Sequence, residues 1–222
     1  MKKLAFIIIP ISFLVVFVYG TGKPLSGAKN FLIKKDNLID FNLIKDCDLI
    51  FQKSFSSQSL AVEKATNSIY SHCGIIFKQD SNFYVLEAVQ PVSVCELKEW
   101  ISRGKEQHFL VKRHVFADSL LTVEKIKEMK KIGFSFLDKN YDLTFEWSDN
   151  KMYCSELIWK IYKRALNIEI GQLQHLEDLN LNDRIVKEKL KERYGNNIPY
   201  QETIIFPESI FSCKDLKTVI EN

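Results

Sequence analysis

Cys154 opens the helical-looking stretch Cys154-Ser155-Glu156-Leu157-Ile158-Trp159-Lys160-Ile161-Tyr162, directly after Tyr153. Counted from that cysteine, apolar residues recur at Leu157, Ile158, Ile161, Tyr162 and Ala165, the spacing of one helical face. The pattern predicts an amphipathic helix with the thiol at its first turn. Unpaired N–H groups and a partial positive charge at a helix N-terminus let a thiol ionise below the ~8.5 of a free cysteine. That is the setting of a nucleophilic thiolate. It is equally the setting of a core cysteine, since free Cys is among the most buried residue types, so the remaining residues must decide.

A nucleophilic thiol requires a base, and the chain has four histidines: His72, His108, His114 and His175. His72 begins the apolar run His72-Cys73-Gly74-Ile75-Ile76-Phe77, and Asn82-Phe83-Tyr84-Val85-Leu86-Glu87-Ala88-Val89 forms a second run. Both read as strands, with turn-forming residues 78–81 between them, and so as a β-hairpin. Glu87 interrupts the second run with a carboxylate that is costly there unless it is paired. A four-residue loop at 78–81 sets His72 opposite Glu87, whereas an odd loop length would put the two on opposite faces. Cys154, His72 and Glu87 then supply nucleophile, base and orienting carboxylate from three separate elements, the arrangement nucleophilic acyl transfer needs. His108 and His114 flank a strand and His175 lies in a polar segment, none with a comparable carboxylate, and all three read as structural or exposed.

At these positions the chain resembles the YiiX-like (YiiX/YebB/YaeF) cysteine hydrolases, circularly permuted relatives of the NlpC-type papain-like enzymes. The resemblance is carried by Asp48-Leu49-Ile50-Phe51-Gln52, Ser71-His72, Leu86-Glu87-Ala88-Val89 with Pro91-Val92, Tyr141-Asp142, Trp147-Ser148-Asp149, Tyr153-Cys154-Ser155-Glu156-Leu157 and Lys189-Leu190-Lys191-Glu192-Arg193-Tyr194-Gly195. It implies Cys154 as nucleophile, His72 as general base and Glu87 as the orienting third residue, in the order that the permutation produces. It also implies that Tyr141 helps hold the developing oxyanion together with the backbone N–H of Cys154. Tyr153 and Gln52 are weaker candidates for the same neighbourhood. The chain departs from the family in carrying Cys47 where glycine is usual and Cys73 where another residue is usual, which raises the prospect of redox sensitivity.

The elements that must position this trio read as α+β. Strands are expected near 48–52, 72–77, 82–89 and 108–115, and helices over 58–67, 119–133, from Tyr153 onward, and about 182–194. A small antiparallel sheet or open barrel should pack on the nucleophile helix, as the permuted papain-like resemblance also implies. The domain is expected to run over 46–222, preceded by an extension over 21–45.

Lys2 and Lys3 precede an uncharged run from Leu4 to Tyr19, and Val18-Tyr19-Gly20 offers a cleavage site. Residues 1–20 are therefore expected to be a secretory signal peptide, with an uncleaved inner-membrane anchor as the alternative. A cleaved leader places the expected enzyme in the periplasm, and a retained one anchors it to the inner membrane. Of the five cysteines, the four besides Cys154 could make up to two disulfides, but a chain of this size can bury enough surface without them. They are expected to be mostly free and buried.

A formal net charge of +3, with 31 basic and 28 acidic residues, and the alternating charges of 187–193 argue against a nucleic-acid surface. No CxxC, HExxH, Walker or dinucleotide glycine motif is present, so neither metal nor cofactor is suggested. The expected activity is that of an exported cysteine hydrolase cleaving an amide or ester bond through a Cys154 acyl-enzyme. NlpC-type relatives act on peptidoglycan stem peptides, making a cell-envelope peptide the first expectation for substrate and a lipid or N-acyl amino acid the alternative. A non-catalytic envelope-binding module is the reading of another class, and the intact trio argues against it.

Overall fold

The computed structural model describes residues 39–222. The leader expected at 1–20 and most of the 21–45 extension lie outside the described residues. In chain order the elements are β1 (Leu49–Gln52), α1 (Ser57–Thr66), β2 (His72–Gln79), β3 (Asn82–Glu87), β4 (Ser93–Glu96), α2 (Leu97–Ser102), β5 (Phe109–His114), α3 (Ala117–Leu120), α4 (Val123–Phe134), α5 (Cys154–Leu166), β6 (Gln174–His175), α6 (Arg184–Tyr194), β7 (Thr203–Ile204), α7 (Pro207–Phe211) and β8 (Leu216–Glu221). The fold is α+β: an antiparallel six-stranded sheet in the order β4-β3-β2-β1-β5-β8, with a short β6-β7 pair apart from it. Among the described residues no helix is long and apolar enough to cross a membrane.

The central strands are buried on both faces, which is why β1 and β2 read as continuous apolar runs rather than alternating ones. Leu49, Phe51, Cys73, Ile75 and Phe77 share one cluster with Leu157 and Ile161 of α5. Ile50, Ile76 and Val85 face the other way, into a cluster with Leu97, Trp100 and Ile101 of α2. One sheet thus separates the nucleophile helix from α2. Asp48, just before β1, is fully buried and receives Arg113 Nε at 2.6 Å and Arg113 Nη2 at 2.7 Å, a bidentate pair that ties the start of β1 to β5.

The expected helix from Tyr153 is α5, beginning at Cys154 and ending at Leu166, after which Asn167 takes the left-handed conformation (φ 56°) in place of a glycine. Glu156 in its first turn and Lys163 and Arg164 in its last complement the helix dipole. Its burial extends beyond the apolar stripe. Ser155 donates to Ile205 O at 2.8 Å, and Lys160 pairs with Glu156 at 2.7 Å and Asp149 at 2.9 Å, so the polar side is covered by paired groups. The segment expected as one helix over 119–133 is two, α3 and α4. Thr122 adopts an extended conformation and accepts from Lys125 N at 3.3 Å, so a side-chain N-cap restarts the helix in mid-segment. Edge strands β4 and β8 are not apparent in the sequence: both are partly exposed and lack a continuous apolar run.

The hairpin forms with a different loop from the one expected. Gln79 pairs with Asn82, so the loop is the two residues Asp80 and Ser81, with Asp80 in the left-handed region at φ 53°. Every cross-strand partner is therefore displaced by two positions relative to a four-residue loop. Ile75 pairs with Leu86, which brings Gly74 level with Glu87 and leaves His72 diagonal to it. Because the displacement is even, His72 and Glu87 stay on the same face.

Gly74 occupies the gap between them. A Cβ there would meet Val85 Cγ1 at 2.4 Å and Leu86 O at 3.1 Å. Val85 is stiff and fully buried, so Gly74→Ala should cost about 1–3 kcal/mol by overpacking. Denaturant unfolding of the variant checks this, and undiminished stability would show that β2 and β3 can separate without cost.

Candidate active site

Cys154 is placed by the first turn of α5, with only 4% of its surface exposed, and His72 by the first residue of β2. The two lie close enough for each to shift the ionisation of the other. His72 Nε2 lies 2.6 Å from Glu87 Oε2, leaving Nδ1 as the ring nitrogen available to the sulfur. The diagonal pair is bridged by the length of the imidazole, which also stacks on Trp100 with centroids 5.8 Å apart and planes 22° apart. The ring is thereby fixed both in plane and along its edge.

Glu87 is 1% exposed and has four side-chain partners. Oε2 accepts from His72 and, at 2.9 Å, from Trp100 Nε1. Oε1 accepts from Arg103 Nη2 and, at 3.5 Å, from Cys95 Sγ. Burial works against the charge, but the hydrogen bonds and positive charges of His72 and Arg103 outweigh it and hold the carboxyl at about 2. Trp100, Arg103 and Cys95 are site residues that the sequence reading missed. Their signal was indirect: a charge inside an apolar strand needs more than one partner, and Arg103 lies 16 residues further on, where nothing in the local pattern connects it to Glu87.

The thiol and imidazole perturb each other in the sense that favours the ion pair. A hydrogen bond from Cys73 lowers the Cys154 thiol most strongly; burial opposes this, and the hydrogen bond and charge of His72 add to the lowering. For His72, burial disfavours the cation, but bonding to Cys154 and Glu87 overcomes it and pushes the imidazole up to about 10. The two groups are poised as thiolate and imidazolium at neutral pH.

Tyr141 comes beside the thiol. Its phenol is driven upward by burial and by the negative charge of Cys154, and its hydroxyl accepts from Gln58 Nε2 at 2.8 Å. Its backbone is held by a bridge to Met152 and by donation to Gln90 Oε1 at 2.7 Å. Gln52 faces His72 in register from β1; its Oε1 is buried without a hydrogen-bond partner in the structure. A cleft of about 240 Å³ is lined by Gln52, Ser54, His72, Ala88, Arg103 and Tyr141. Tyr153 is turned to other work: its hydroxyl accepts from Ile205 N at 3.1 Å and its ring meets Phe145 edge-on at 5.0 Å. It supports α5 and contributes no free polar group to the cleft. The other histidines are engaged with backbone: His108 Nδ1 with Asn222 O at 2.7 Å, His114 Nδ1 accepting from Phe116 N at 3.2 Å, and His175 Nδ1 with Gln201 O at 2.9 Å. All five cysteines are free, Cys47, Cys73 and Cys154 buried and Cys95 and Cys213 partly so.

A cysteine at a helix N-terminus, a histidine on the facing sheet and a carboxylate behind it, met in the order His, Glu, Cys along the chain, define a papain-like site on a permuted topology. The chain belongs to the permuted papain-like amidase family, YaeF/YiiX, C92, whose model matches residues 44–220. It is 42% identical over 172 residues to the Escherichia coli (strain K12) protein YiiX, covering 78% of this chain and 84% of that one. A crystal structure of YiiX from Escherichia coli O157:H7 superposes with a TM-score of 0.76 at 41% identity, covering 80% of this chain and 97% of that one. That relative is described as a metalloprotein. Among the described residues of the present chain, no group of three or more His, Cys, Asp and Glu side chains is arranged to hold a metal ion.

Two outcomes follow from these electrostatics. Alkylation of Cys154 by iodoacetamide should stay fast well below the ordinary thiol range, and His72→Ala should move the profile to higher pH; a profile like that of a free thiol would contradict the ion pair. Glu87 has its pKa depressed to about 2 from 4.5, so its stabilising contribution is present above 4.5 and is lost as pH falls toward 2. Arg103→Ala removes one of the groups that lower it, so acid unfolding, followed by circular dichroism, should begin at higher pH than in the parent.

Proposed function

We propose that the protein is a cysteine hydrolase that cleaves an amide or ester bond through an acyl-enzyme on Cys154. The observation that carries this reading is the succession Cys154, His72 and Glu87, with Glu87 held ionised by His72 and Arg103 and hydrogen-bonded by Trp100. The Cys154 thiolate attacks the carbonyl carbon. The backbone N–H of Cys154 and the Tyr141 hydroxyl, positioned by Gln58, donate to the developing oxyanion. The His72 imidazolium gives its proton to the leaving amine or alkoxide, and the neutral ring then takes a proton from the water that attacks the thioester. Glu87 keeps the ring oriented and stabilises its charged form. Gln52 borders the same cleft and is proposed as a substrate contact.

The proposed substrate is a cell-envelope peptide, met after export by the N-terminal leader. A lipid or N-acyl amino acid is a second reading, favoured by one feature. Gln58 lines both the catalytic cleft and an almost wholly apolar groove between α1 and α6, walled by Val62, Leu176, Leu190 and Phe206. An acyl chain laid in that groove would have its carbonyl end near Tyr141.

The test is to trap the intermediate. The purified protein is mixed in parallel with peptidoglycan stem peptides and with N-acyl amino acids, quenched in acid and weighed intact. A peptide-derived acyl group on Cys154 supports the first reading, a fatty acyl group the second. Cys154→Ala should carry no adduct and show no turnover, while His72→Ala should slow turnover by about 10²–10⁴-fold and Glu87→Gln by less. Undiminished hydrolysis by Cys154→Ala would overturn the mechanism.

A further inference from the structure

We propose that Cys73 and Cys154 together form a site of reversible oxidation, in which a peroxide converts the two thiols into an intramolecular disulfide that silences the nucleophile. The acyl-transfer steps form and break no bond at Cys73, whose only part in the hydrolase reading is to favour the Cys154 thiolate. Cys73 stands on β2 immediately after His72, across from Phe51 on β1, fully buried in the cluster that contains Cys154. The two thiols lie close enough for each to shift the ionisation of the other, where α5 packs on β2. The remaining cysteines are differently placed. Cys95 is held by Glu87 and Arg103 on the far side of the carboxylate, and Cys47 precedes β1, with its backbone N–H donating to Ile76 O at 2.8 Å.

The arrangement assigns each sulfur a part. Cys154 is the ionised one, favoured by His72, and keeps 4% of its surface open, so it meets the oxidant first. Cys73 has no exposed surface and is kept protonated by burial and by the neighbouring negative charge, so it does not react with peroxide by itself. In the first step the Cys154 thiolate attacks one oxygen of hydrogen peroxide and the O–O bond breaks. Cys154 becomes a sulfenic acid, and the departing hydroxide takes the His72 proton to leave as water. In the second step the Cys73 sulfur attacks the Cys154 sulfur, the S–O bond breaks, and the hydroxyl leaves with the Cys73 proton as a second water. Two thiols are oxidised by two electrons and one peroxide is reduced to two waters. The loss of the thiolate charge in the first step removes one of the influences that kept Cys73 protonated. Without a resolving thiol, a sulfenic acid at Cys154 goes on to the irreversible sulfinic acid.

The full-length protein is exposed to dilute hydrogen peroxide and examined by intact mass, by non-reducing peptide mapping and by iodoacetamide labelling of Cys154, none of which needs a substrate. The expected product is lighter by two hydrogens, with the Cys73 and Cys154 peptides joined. Labelling is lost and then returns on treatment with dithiothreitol. In Cys73→Ala the protein should instead gain two oxygens at Cys154, with labelling that the reductant does not restore. Cys73→Ser, which keeps a small polar group in the same space, should behave as Cys73→Ala does. A wild-type map showing sulfinic acid at Cys154 with Cys73 free, or equal recovery of wild type and variant, would overturn the proposal. The wild-type map decides the point even where a variant folds poorly.

Discussion

A carboxylate sealed inside an apolar sheet is the constraint around which this molecule is organised. Glu87 is almost wholly buried, and a buried charge is tolerable only when its attraction to partners exceeds the cost of leaving water. Here the partners come from β2, α2, the turn after α2 and β4: His72, Trp100, Arg103 and Cys95. Satisfying Glu87 therefore fixes where α2 lies against the sheet. The same contacts fix the imidazole, whose other nitrogen is left for the thiol. Solving the burial problem and orienting the base are one operation.

The opposite face of the sheet carries α5, and the site exists because the strand end and the helix end meet at one edge of that packing. Leu157 and Ile161 share one buried cluster with Leu49, Phe51 and Ile75 of the sheet, while Lys160 joins Glu156 to Asp149 and so anchors the loop that leads into Cys154. None of these contacts depends on the chain order of the elements. A permuted topology with histidine and glutamate ahead of the cysteine can build the same constellation because the chemistry requires only their placement in space. The thiol pair adds a second sulfur beside the nucleophile, since Cys73 influences the ionisation of Cys154 from the adjoining strand.

Much of this was legible in the sequence because it rests on local periodicity or parity. The apolar spacing after Cys154 is read directly as a helix, and α5 begins at that residue. The hairpin pairing of His72 with Glu87 survived a wrong loop length, because sharing a face depends only on whether the shift is even. What parity could not give was the register. With a two-residue loop, glycine lies beside the carboxylate and the histidine reaches across diagonally. The break between α3 and α4 falls at Thr122, whose side-chain cap starts a new helix inside a segment of continuous apolar spacing.

The sequence by itself determined that Cys154 stands at a helix start, that His72 and Glu87 share a strand face, and that the domain is α+β. Each is a property of residues close in the chain or of a period that any fold must respect. Tertiary structure alone decided that Arg103 and Trp100 hold Glu87, that Gln58 positions Tyr141, that Tyr153 turns to Ile205 and away from the cleft, and that Cys73 meets Cys154. These are contacts between residues distant along the chain, set by how α1, α2 and α5 pack on the sheet. No local pattern encodes them, because the free energy that selects them is that of burying polar groups with satisfied partners, a quantity defined only once the chain has closed around them.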